Sequence, residues 1–358
     1  MHAIVNTGPG QLEWLELPTP TPGPGQALIR TAACGICATD LAMIAGWERT
    51  GFPAIPGHEW SGIVEAVGPG ADPRLVGQPC VANNHLADGG EIGFEHPGGY
   101  GQYLLAEADK IHPLPDGLSL TEAALIEPLA VCLHGRRRLG NGATGPSLII
   151  GDGPIGLLTL MLLRLEPDEL GQDATLVGGR AARLALARDL GAARVLDYHA
   201  IEDGRPPSLH RGRRMVPQEA GESQSLPLEA VPEDALAAAL VEVNNGRYRT
   251  VIEASGSPRA LNAGMAAVAH GGRVLVLGDY GNARADFEWV SLLHWDLSIV
   301  GSGGGAAETG EAVRLAASGA LPLGRLITHR LPATRFAEGM VLTRDRESNA
   351  IKVVVEWA

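Results

Sequence analysis

The spacing of apolar residues changes partway along the chain. In the first third, short apolar-rich runs alternate with glycine and proline, a pattern typical of strands joined by tight turns. The runs predicted to be strands are 26–32, 62–67, 103–106 and 110–113. A helix is predicted over 121–139, with Thr121 and Glu122 near its start. This part of the chain is therefore expected to be mainly β.

From Ser147 onward, apolar runs of strand length alternate with stretches of helical character. Strands are predicted at 147–150, 174–177, 194–197, 250–253 and 273–277, and helices at 155–165, 182–190 and 259–268. Such alternation predicts a parallel sheet covered by helices on both faces, which is the doubly wound α/β class. The chain closes with a predicted helix at 308–318 and a predicted strand at 351–356.

These patterns divide the chain into two predicted domains. Residues 1–128 and 301–358 are assigned to the mainly β domain, and 129–300 to the doubly wound domain. A polar segment at about 202–232, rich in proline and arginine, interrupts the second pattern and is interpreted as an inserted loop.

Composition narrows the class of protein. A chain of 358 residues, 45% of them hydrophobic, can bury two cores. The net charge of −13 disfavours nucleic acid and anionic membranes as partners. No apolar run approaches the ~20 residues of a membrane helix, and residues 1–10 lack the features of a signal peptide. Four cysteines are too few for a disulfide framework, so a cytoplasmic protein is expected.

A glycine-rich loop follows the first strand of the second domain. Its sequence is Gly151-Asp152-Gly153-Pro154-Ile155-Gly156, a G-x-G-x-x-G between a predicted strand and a predicted helix. In this context the first glycine makes the tight turn, the second lets a pyrophosphate approach the backbone, and the third lets helix and strand pack closely. The loop therefore predicts a dinucleotide site, with the phosphates at the helix N-terminus.

The end of the next strand indicates which dinucleotide is bound. NAD sites commonly place a carboxylate there, whereas this chain has Gly178, Gly179 and then Arg180. Glycine removes repulsion against a 2′-phosphate, and an arginine binds one through charge-assisted hydrogen bonds. NADP is therefore predicted over NAD, the alternative being that Arg180 only caps a turn. Ser255 and Leu277 are also assigned to the cofactor site.

Residues suited to binding a metal are scattered through the first domain. Cys37 closes Cys34-Gly35-Ile36-Cys37, His58 lies 21 residues later, and Glu127 comes shortly before the second domain. A thiolate, an imidazole and a carboxylate suit a borderline metal such as zinc, with a fourth position open to water or substrate. Each residue alone is weak evidence, because cysteine pairs and buried histidines are common without a metal.

The combination of these residues with the glycine loop resembles the medium-chain dehydrogenase/reductase family, in its zinc-dependent alcohol and polyol dehydrogenase branch. The resemblance covers almost the whole chain, including Leu326-Ile327-Thr328-His329 and Ile351-Lys352-Val353-Val354. It implies a Rossmann cofactor domain, a GroES-like catalytic domain and an active site in the cleft between them.

The resemblance also assigns roles to residues of the catalytic domain. Cys37 and His58 match catalytic zinc ligands, and Glu59 matches a carboxylate that exchanges onto the zinc. Glu127 matches an acidic third or fourth ligand, and Thr39 matches the hydroxyl that takes the substrate proton. Because two permanently bound carboxylates would leave the zinc site with a charge of −1, either Glu59 or Glu127 is expected to exchange with water.

The resemblance gives other residues no direct part in the reaction. Lys352 matches a basic position near the cofactor pyrophosphate. Cys34 flanks the metal motif without being a ligand, and Cys80, Cys132 and His134 are interpreted as core residues.

Two departures from the family pattern change the expectation. The region 81–100 contains no cysteine, where many members have four that hold a structural zinc, so one catalytic zinc and no structural zinc are expected. The histidine that relays the proton in alcohol dehydrogenases is also missing from 41–44, so the proton must leave Thr39 by another route, through water or a ribose hydroxyl.

The expected function is the NADP-linked, zinc-dependent interconversion of a secondary alcohol with its ketone or aldehyde. Gly57-His58-Glu59-Trp60-Ser61-Gly62 resembles members that act on sugars and aminocyclitols, which favours a polyol, sugar or cyclitol over a simple alcohol or a biosynthetic intermediate. The alternatives are a zinc-free NADPH reductase of quinones or activated alkenes and a non-catalytic member of the fold. Relatives imply a homodimer or homotetramer, with 297–300 as a candidate edge strand.

Overall fold

The computed structural model describes residues 1–47, 49, 51–202, 234–285, 289–345 and 347–358. Apart from residue 202, the predicted insertion at about 202–232 lies outside the described residues. The chain forms two compact units, 1–137 with 303–358, and 138–302. The predicted boundary at 128/129 falls inside a helix, Ile126–Leu139, whose residues through Arg137 belong to the first unit.

The first unit is built mainly of strands. Numbered along the chain, they are β1 (His2–Gly8), β2 (Gln11–Glu16), β3 (Gln26–Gly35), β4 (Glu59–Val67), β5 (Pro79–Ala82), β6 (Tyr103–Glu107), β7 (Ile111–Pro113), β14 (Ile327–Pro332) and β15 (Lys352–Glu356). Its helices are α1 (Ala38–Ile44), α2 (Leu120–Ala123), α3 (Ile126–Leu139), α11 (Thr309–Ala317) and α12 (Phe336–Arg344). Short 3₁₀ turns lie at Pro73–Leu75, Ala108–Lys110, Ala306–Glu308, Leu323–Leu326 and Ala333–Arg335.

A seven-stranded sheet in the order β14-β15-β3-β4-β5-β7, with β6 also paired to β3, forms the framework of this unit. Strand β3 lies between β15, β4 and β6 and pairs antiparallel with all three. The buried side chains of these strands, among them Ile29, Trp60, Leu104 and Val353, form its core. The central strand therefore ends at Gly35, between Glu59 on β4 and Val354 on β15.

The second unit alternates strands and helices. Its strands are β8 (Ser147–Ile150), β9 (Ala174–Gly178), β10 (Arg194–Asp197), β11 (Tyr248–Glu253), β12 (Val268–Val276) and β13 (Ser298–Gly301). Its helices are α4 (Pro154–Leu163), α5 (Glu169–Gln172), α6 (Ala181–Asp189), α7 (His199–Glu202), α8 (Ala235–Val243), α9 (Pro258–Ala267) and α10 (Trp289–His294).

The strands of this unit form one parallel sheet in the order β10-β9-β8-β11-β12-β13. The chain runs from β8 through β9 to β10 at one edge and then returns to β11, so the strand order reverses between the neighbours β8 and β11. This strand order confirms the predicted doubly wound α/β class, and a parallel open sheet binds ligands at the carboxyl ends of its strands near such a reversal.

One predicted element is wrong in detail. The helix expected over 121–139 is two helices, α2 and α3, with Ala124 and Leu125 between them. Pro128 explains the break, because it has no backbone N–H to donate to Ala124 and so cannot continue the α2 ladder. Restarting at Ile126 places Glu127 in the first turn of α3.

Among the described residues, no helix has the length and apolar character that crossing a membrane requires. The four cysteines are free thiols, and those at 34, 80 and 132 are buried.

Candidate functional site

Cys37 lies directly between a central strand and a short helix. Strand β3 ends at Gly35, and α1 begins at Ala38 with Cys37 as its N-cap residue. The backbone N–H of Cys37 donates to Oδ2 of Asp40 at 2.8 Å, which fixes the turn. The Cys37 side chain is half-buried, and its Sγ lies 3.7 Å from Oγ1 of Thr39. The turn therefore places the predicted proton-accepting hydroxyl beside the predicted zinc ligand.

The backbone before His58 has a conformation and a packing that require glycine. Gly57 has φ +100°, and a Cβ there would lie 2.7 Å from the Tyr100 ring and 2.9 Å from Sγ of Cys34. The N–H groups of Gly98, Gly99 and Tyr100 donate to the carbonyls of residues 55, 57 and 56. Residues 98–100 thus hold the segment that precedes His58. Burial raises the pKa of the Cys34 thiol, which lies close to Gly57.

Asp40 orients His58 from the inside of the unit. The carboxylate is fully buried, and its Oδ1 lies 3.3 Å from Nδ1 of His58. Tyr100 donates its hydroxyl to Oδ2 at 3.1 Å. Although burial alone acts in the opposite direction on each group, the attraction between them lowers the pKa of Asp40 and raises the pKa of His58. This arrangement points Nδ1 inward and leaves Nε2 as the nitrogen available to a ligand.

Glu59 forms a buried ion pair with Lys352. The ammonium lies 2.7 Å from Oε1 and 2.6 Å from Oε2, and the two residues are 1% and 3% exposed. Burial lowers the pKa of Lys352, but the charge of Glu59 outweighs it and the pKa is raised. A Cβ at Gly35 would lie 2.2 Å from Oε2 of Glu59, so glycine at that strand end makes room for the pair.

The predicted position of Lys352 near the cofactor pyrophosphate stays a prediction. In the structure its ammonium contacts the buried carboxylate of Glu59, and the residue is 3% exposed. Because Glu59 is buried beside Cys37 and Asp40 it requires a cation, and β15 supplies it through its pairing with β3.

Three of the four predicted metal ligands come together. Ligand atoms of Cys37, His58 and Glu59 lie within 4.8 Å of one another, and they form the one such group among the described residues. Glu127 lies outside this group but within electrostatic reach of His58 and Glu59. Burial, with the charge of Glu59 adding to it, raises the pKa of Glu127 to about 7.

The predicted cofactor residues of the second unit lie at one edge of its sheet. The glycine loop follows β8, Gly178 ends β9 with residues 179–180 after it, Ser255 follows β11 and Leu277 follows β12. Since these strands are parallel, their carboxyl ends meet at the same edge. Gly151 has φ +129°, and a Cβ on Gly156 would lie 1.9 Å from the carbonyl oxygen of Gly151. A Cβ on Gly153, by contrast, would meet no atom within 4 Å.

The loops after β9 and β11 are each held by a buried carboxylate. Asp152, inside the glycine loop, accepts the N–H groups of Gly179 and Arg180. Glu253, the last residue of β11, accepts the N–H of Ser255 at 2.7 Å and the Tyr280 hydroxyl at 2.5 Å.

Several of these residues received no role from the sequence. Asp40 stands three positions after Cys37 and Asp152 stands inside the glycine loop, so their positions in the two motifs could have identified them. Tyr100 and Tyr198 had no such local pattern. The ring of Tyr198 lies against Gly179, where a Cβ would come within 2.5 Å of it.

Comparison with known proteins agrees with this architecture. The model of the alcohol dehydrogenase GroES-like domain matches residues 23–116. D-arabitol-phosphate dehydrogenase of Enterococcus avium is 28% identical over 99% of this chain and 97% of its own length. L-threonine 3-dehydrogenase of Stenotrophomonas maltophilia (strain K279a) is 27% identical over the full length of both chains. A dehydrogenase from Sinorhizobium meliloti 1021, solved bound to NADP, superimposes with a TM-score of 0.80 at 24% identity, covering 99% of this chain and 98% of that one.

These matches and the two-unit fold define the class of protein. The chain resembles the medium-chain dehydrogenase/reductase family: residues 23–116 match the alcohol dehydrogenase GroES-like domain, and the two relatives that match over the whole chain are named as dehydrogenases. The resemblance predicted from the sequence, the Rossmann sheet and the GroES-like domain are thereby confirmed.

The Glu59–Lys352 pair gives a testable stability prediction. Lys352→Met leaves a buried carboxylate without its partner and is expected to lower the free energy of unfolding by about 3–5 kcal/mol. The double variant Lys352→Met with Glu59→Gln is expected to recover much of that loss, because it removes the charge. Urea unfolding of both variants checks this.

The exposed pair Arg30–Glu65 in the same sheet provides the control, since Arg30→Met is expected to cost less than about 1 kcal/mol. A Lys352→Met protein as stable as the wild type would contradict the importance of the buried pair.

Proposed function

We propose that the chain is a zinc-dependent, NADP-linked oxidoreductase that interconverts a secondary alcohol of the polyol, sugar or cyclitol type with its ketone or aldehyde. The observation that carries the proposal is the convergence of Cys37, His58 and Glu59 within 4.8 Å, on a family fold whose other unit has a glycine-loop sheet edge.

The donor set suits zinc. Zinc accepts a sulfur, an imidazole nitrogen and a carboxylate oxygen as ligands. The ligand atoms of the three residues lie within 4.8 Å of one another, which is close to twice a zinc–ligand bond of about 2.0–2.3 Å. A carboxylate behind the imidazole, here Asp40, is the usual outer partner of a zinc-bound histidine. Zinc would be held by Cys37 and His58, with Glu59 or Glu127 as the carboxylate ligand.

The charges of the site favour Glu127 as that ligand. Glu59 already has both oxygens on the Lys352 ammonium, so moving it to a metal would break a buried ion pair. Glu127 has no such cation at hydrogen-bonding distance among the contacts of the described residues, and burial raises its pKa to about 7, so a divalent cation bound there would stabilise its ionised form.

The glycine loop suits a dinucleotide. The turn at Gly151 and the tight contact at Gly156 bring the start of α4 close to the end of β8, and a helix N-terminus at that position suits phosphates. The open space beside Gly153 is where a pyrophosphate can approach the backbone.

When bound, zinc supplies a Lewis acid that acidifies an alcohol, and NADP supplies the nicotinamide carbon that accepts the hydride. Residues of the chain would move the alcohol proton and orient the metal ligands. Thr39 presents Oγ1 beside Cys37 to accept and pass on the alcohol proton. Asp40 holds the His58 ring in one orientation, and Lys352 holds the Glu59 side chain through a buried ion pair.

NADP is preferred over NAD because of the residues after β9. Gly178 and Gly179 carry no carboxylate that would repel a 2′-phosphate, and Arg180 supplies a guanidinium at that strand end. The zinc-free reductase alternative is less favoured, since it does not require the Cys37, His58 and Glu59 group.

Zinc content tests the function directly. The wild-type protein is expected to contain about one zinc per chain and to reduce NADP with members of a polyol and sugar panel. Cys37→Ala is expected to lose both zinc and activity. Elemental analysis and absorbance at the NADPH band measure the two properties on the same samples.

Cys80→Ala is the matched control, because Cys80 is a buried core thiol outside the metal group and should retain zinc. A folded, NADP-binding wild type without zinc would favour the zinc-free reductase, and two zinc ions per chain would reveal a structural site.

Replacement of Arg180 tests the choice of cofactor. Arg180→Ala is expected to raise the KM for NADP about tenfold or more and to change the KM for NAD much less, because only NADP carries the 2′-phosphate. Initial rates with both cofactors at saturating alcohol measure this difference. An equal rise for both would show that Arg180 does not contact the 2′-phosphate.

A further inference from the structure

A carboxylate at the end of β11 is completely buried among loops of the second unit. Glu253 is 0% exposed and is the last residue of the strand. Burial of a charged carboxylate is favourable only when hydrogen bonds or cations compensate it, so the groups that contact it indicate its role. Its position at the carboxyl edge of a parallel sheet is where this class of fold binds ligands.

The loop directly after β11 donates three hydrogen bonds to this carboxylate. Oε1 of Glu253 accepts the backbone N–H of Ser255 at 2.7 Å and also accepts the Ser255 hydroxyl. Oε2 accepts the backbone N–H of Gly256 at 3.2 Å. The loop therefore folds back onto the Glu253 side chain, and its conformation depends on that side chain.

The loop after β12 contacts the same residue. Tyr280 donates its hydroxyl to Oε2 of Glu253 at 2.5 Å. The backbone N–H groups of Leu277 and Gly278 donate to the Glu253 carbonyl at 2.8 and 3.0 Å. A Cβ at Gly278 would lie 2.3 Å from the nitrogen of Gly256, so glycine at 278 lets the two loops meet. Burial, with the hydrogen bond to Glu253 adding to it, raises the pKa of Tyr280, which therefore remains a donor at neutral pH.

These contacts fix the direction of the Ser255 hydroxyl. A hydroxyl has one donor and two acceptor positions. The Ser255 O–H donates to Glu253, and Oγ accepts the backbone N–H of Ser257 at 3.2 Å. One acceptor position remains, on a residue that is exposed. Oγ of Ser255 can thus accept one further hydrogen bond, whereas its proton is already shared with the carboxylate.

The place of Ser255 in the sheet indicates which part of a dinucleotide it would meet. The strand order reverses between β8 and β11, and each half of such a sheet binds one mononucleotide. The glycine loop and the end of β9 belong to the half that takes the adenosine. The loops after β11 and β12 belong to the other half, which takes the nicotinamide and its ribose. The ribose hydroxyls and the carboxamide N–H groups are donors, and an acceptor at Ser255 suits them.

We propose that Glu253 is a positioning residue for the nicotinamide half of the cofactor: it accepts the Ser255 hydroxyl and holds the loop after β11 against Tyr280, so that Oγ of Ser255 accepts a hydrogen bond from a ribose hydroxyl or from the carboxamide. This inference rests on the proposed function in that it requires a dinucleotide. It does not depend on zinc, on the substrate or on the choice between NADP and NAD, because the two cofactors have the same nicotinamide half.

Binding of cofactors and cofactor fragments tests the role of Ser255 without metal or alcohol. NADH and NADPH are titrated by nicotinamide fluorescence, and ADP-ribose and ADP by calorimetry. Ser255→Ala removes an exposed hydroxyl and is expected to weaken both dinucleotides about three- to tenfold, with ADP changed less than about twofold. A matching loss for ADP-ribose would assign the donor to the ribose, and an unchanged ADP-ribose affinity would assign it to the carboxamide.

Replacement of Glu253 tests whether it acts through that hydroxyl. Glu253→Gln keeps the shape but leaves one oxygen for four donors, and is expected to weaken both dinucleotides about tenfold or more, with ADP again little changed. Its effect is expected to shrink when it is combined with Ser255→Ala, because the two residues act together. Asp168→Asn is the control, because Asp168 also accepts a backbone N–H in a turn of this unit but stands before the amino end of β9. It should change no affinity.

Three results would overturn the inference alone. Unchanged binding of both dinucleotides by Ser255→Ala would mean that the hydroxyl does not contact the cofactor. Equal weakening of the dinucleotides and ADP by Glu253→Gln would mean that Glu253 only supports the fold of the unit. Fully additive effects in the double variant would mean that Glu253 does not act through Ser255. A wild type that binds neither NADH nor NADPH would overturn the proposed function as well, so the two failures are distinguishable.

Discussion

The buried ion pair between Glu59 and Lys352 is the interaction on which the first unit's site depends. A carboxylate buried beside Cys37 and Asp40 is stable only with a cation at contact distance, and β15 brings that cation to the end of β3. Gly35 leaves room for the carboxylate, and Gly57 sets the backbone that presents His58. The charge of Glu59 also contributes to the raised pKa of Glu127, so the pair affects the second carboxylate that is a candidate for the proposed metal.

Buried carboxylates also fix the conformation of loops in the second unit. Asp152 and Glu253 are buried carboxylates at neighbouring strand ends, and each accepts backbone N–H groups of a loop that the fold directs toward a dinucleotide. In both units, therefore, the sheet places the strand ends, and buried carboxylates fix the segments that follow those strand ends. Glycines at 35, 178 and 156 are required because side chains or backbone occupy the space where a Cβ would be.

Much of the fold was predictable from the sequence, because strand-helix alternation after Ser147 has few alternatives to a doubly wound sheet, and the family resemblance is confirmed. The metal group was predictable from residue type and order, although the site roles remain predictions. The apolar pattern across 121–139 hid the helix break at Ala124 and Leu125, although Pro128 was visible in the sequence. The partner of Lys352 was not predictable from local spacing, since Glu59 lies 293 positions earlier and only the pairing of β15 with β3 brings them together. Asp152 was visible in the glycine loop, but its role depends on a contact between two strand ends.

The central claim is that one zinc ion is held by a single thiolate together with nitrogen and oxygen ligands in the first unit. X-ray absorption at the zinc edge of the purified, zinc-loaded protein measures this ligand set directly. The expected spectrum has one sulfur at about 2.3 Å and nitrogen or oxygen neighbours at about 2.0–2.2 Å, and the sulfur contribution disappears in Cys37→Ala. A spectrum dominated by several sulfur ligands, or one without sulfur, would contradict the account.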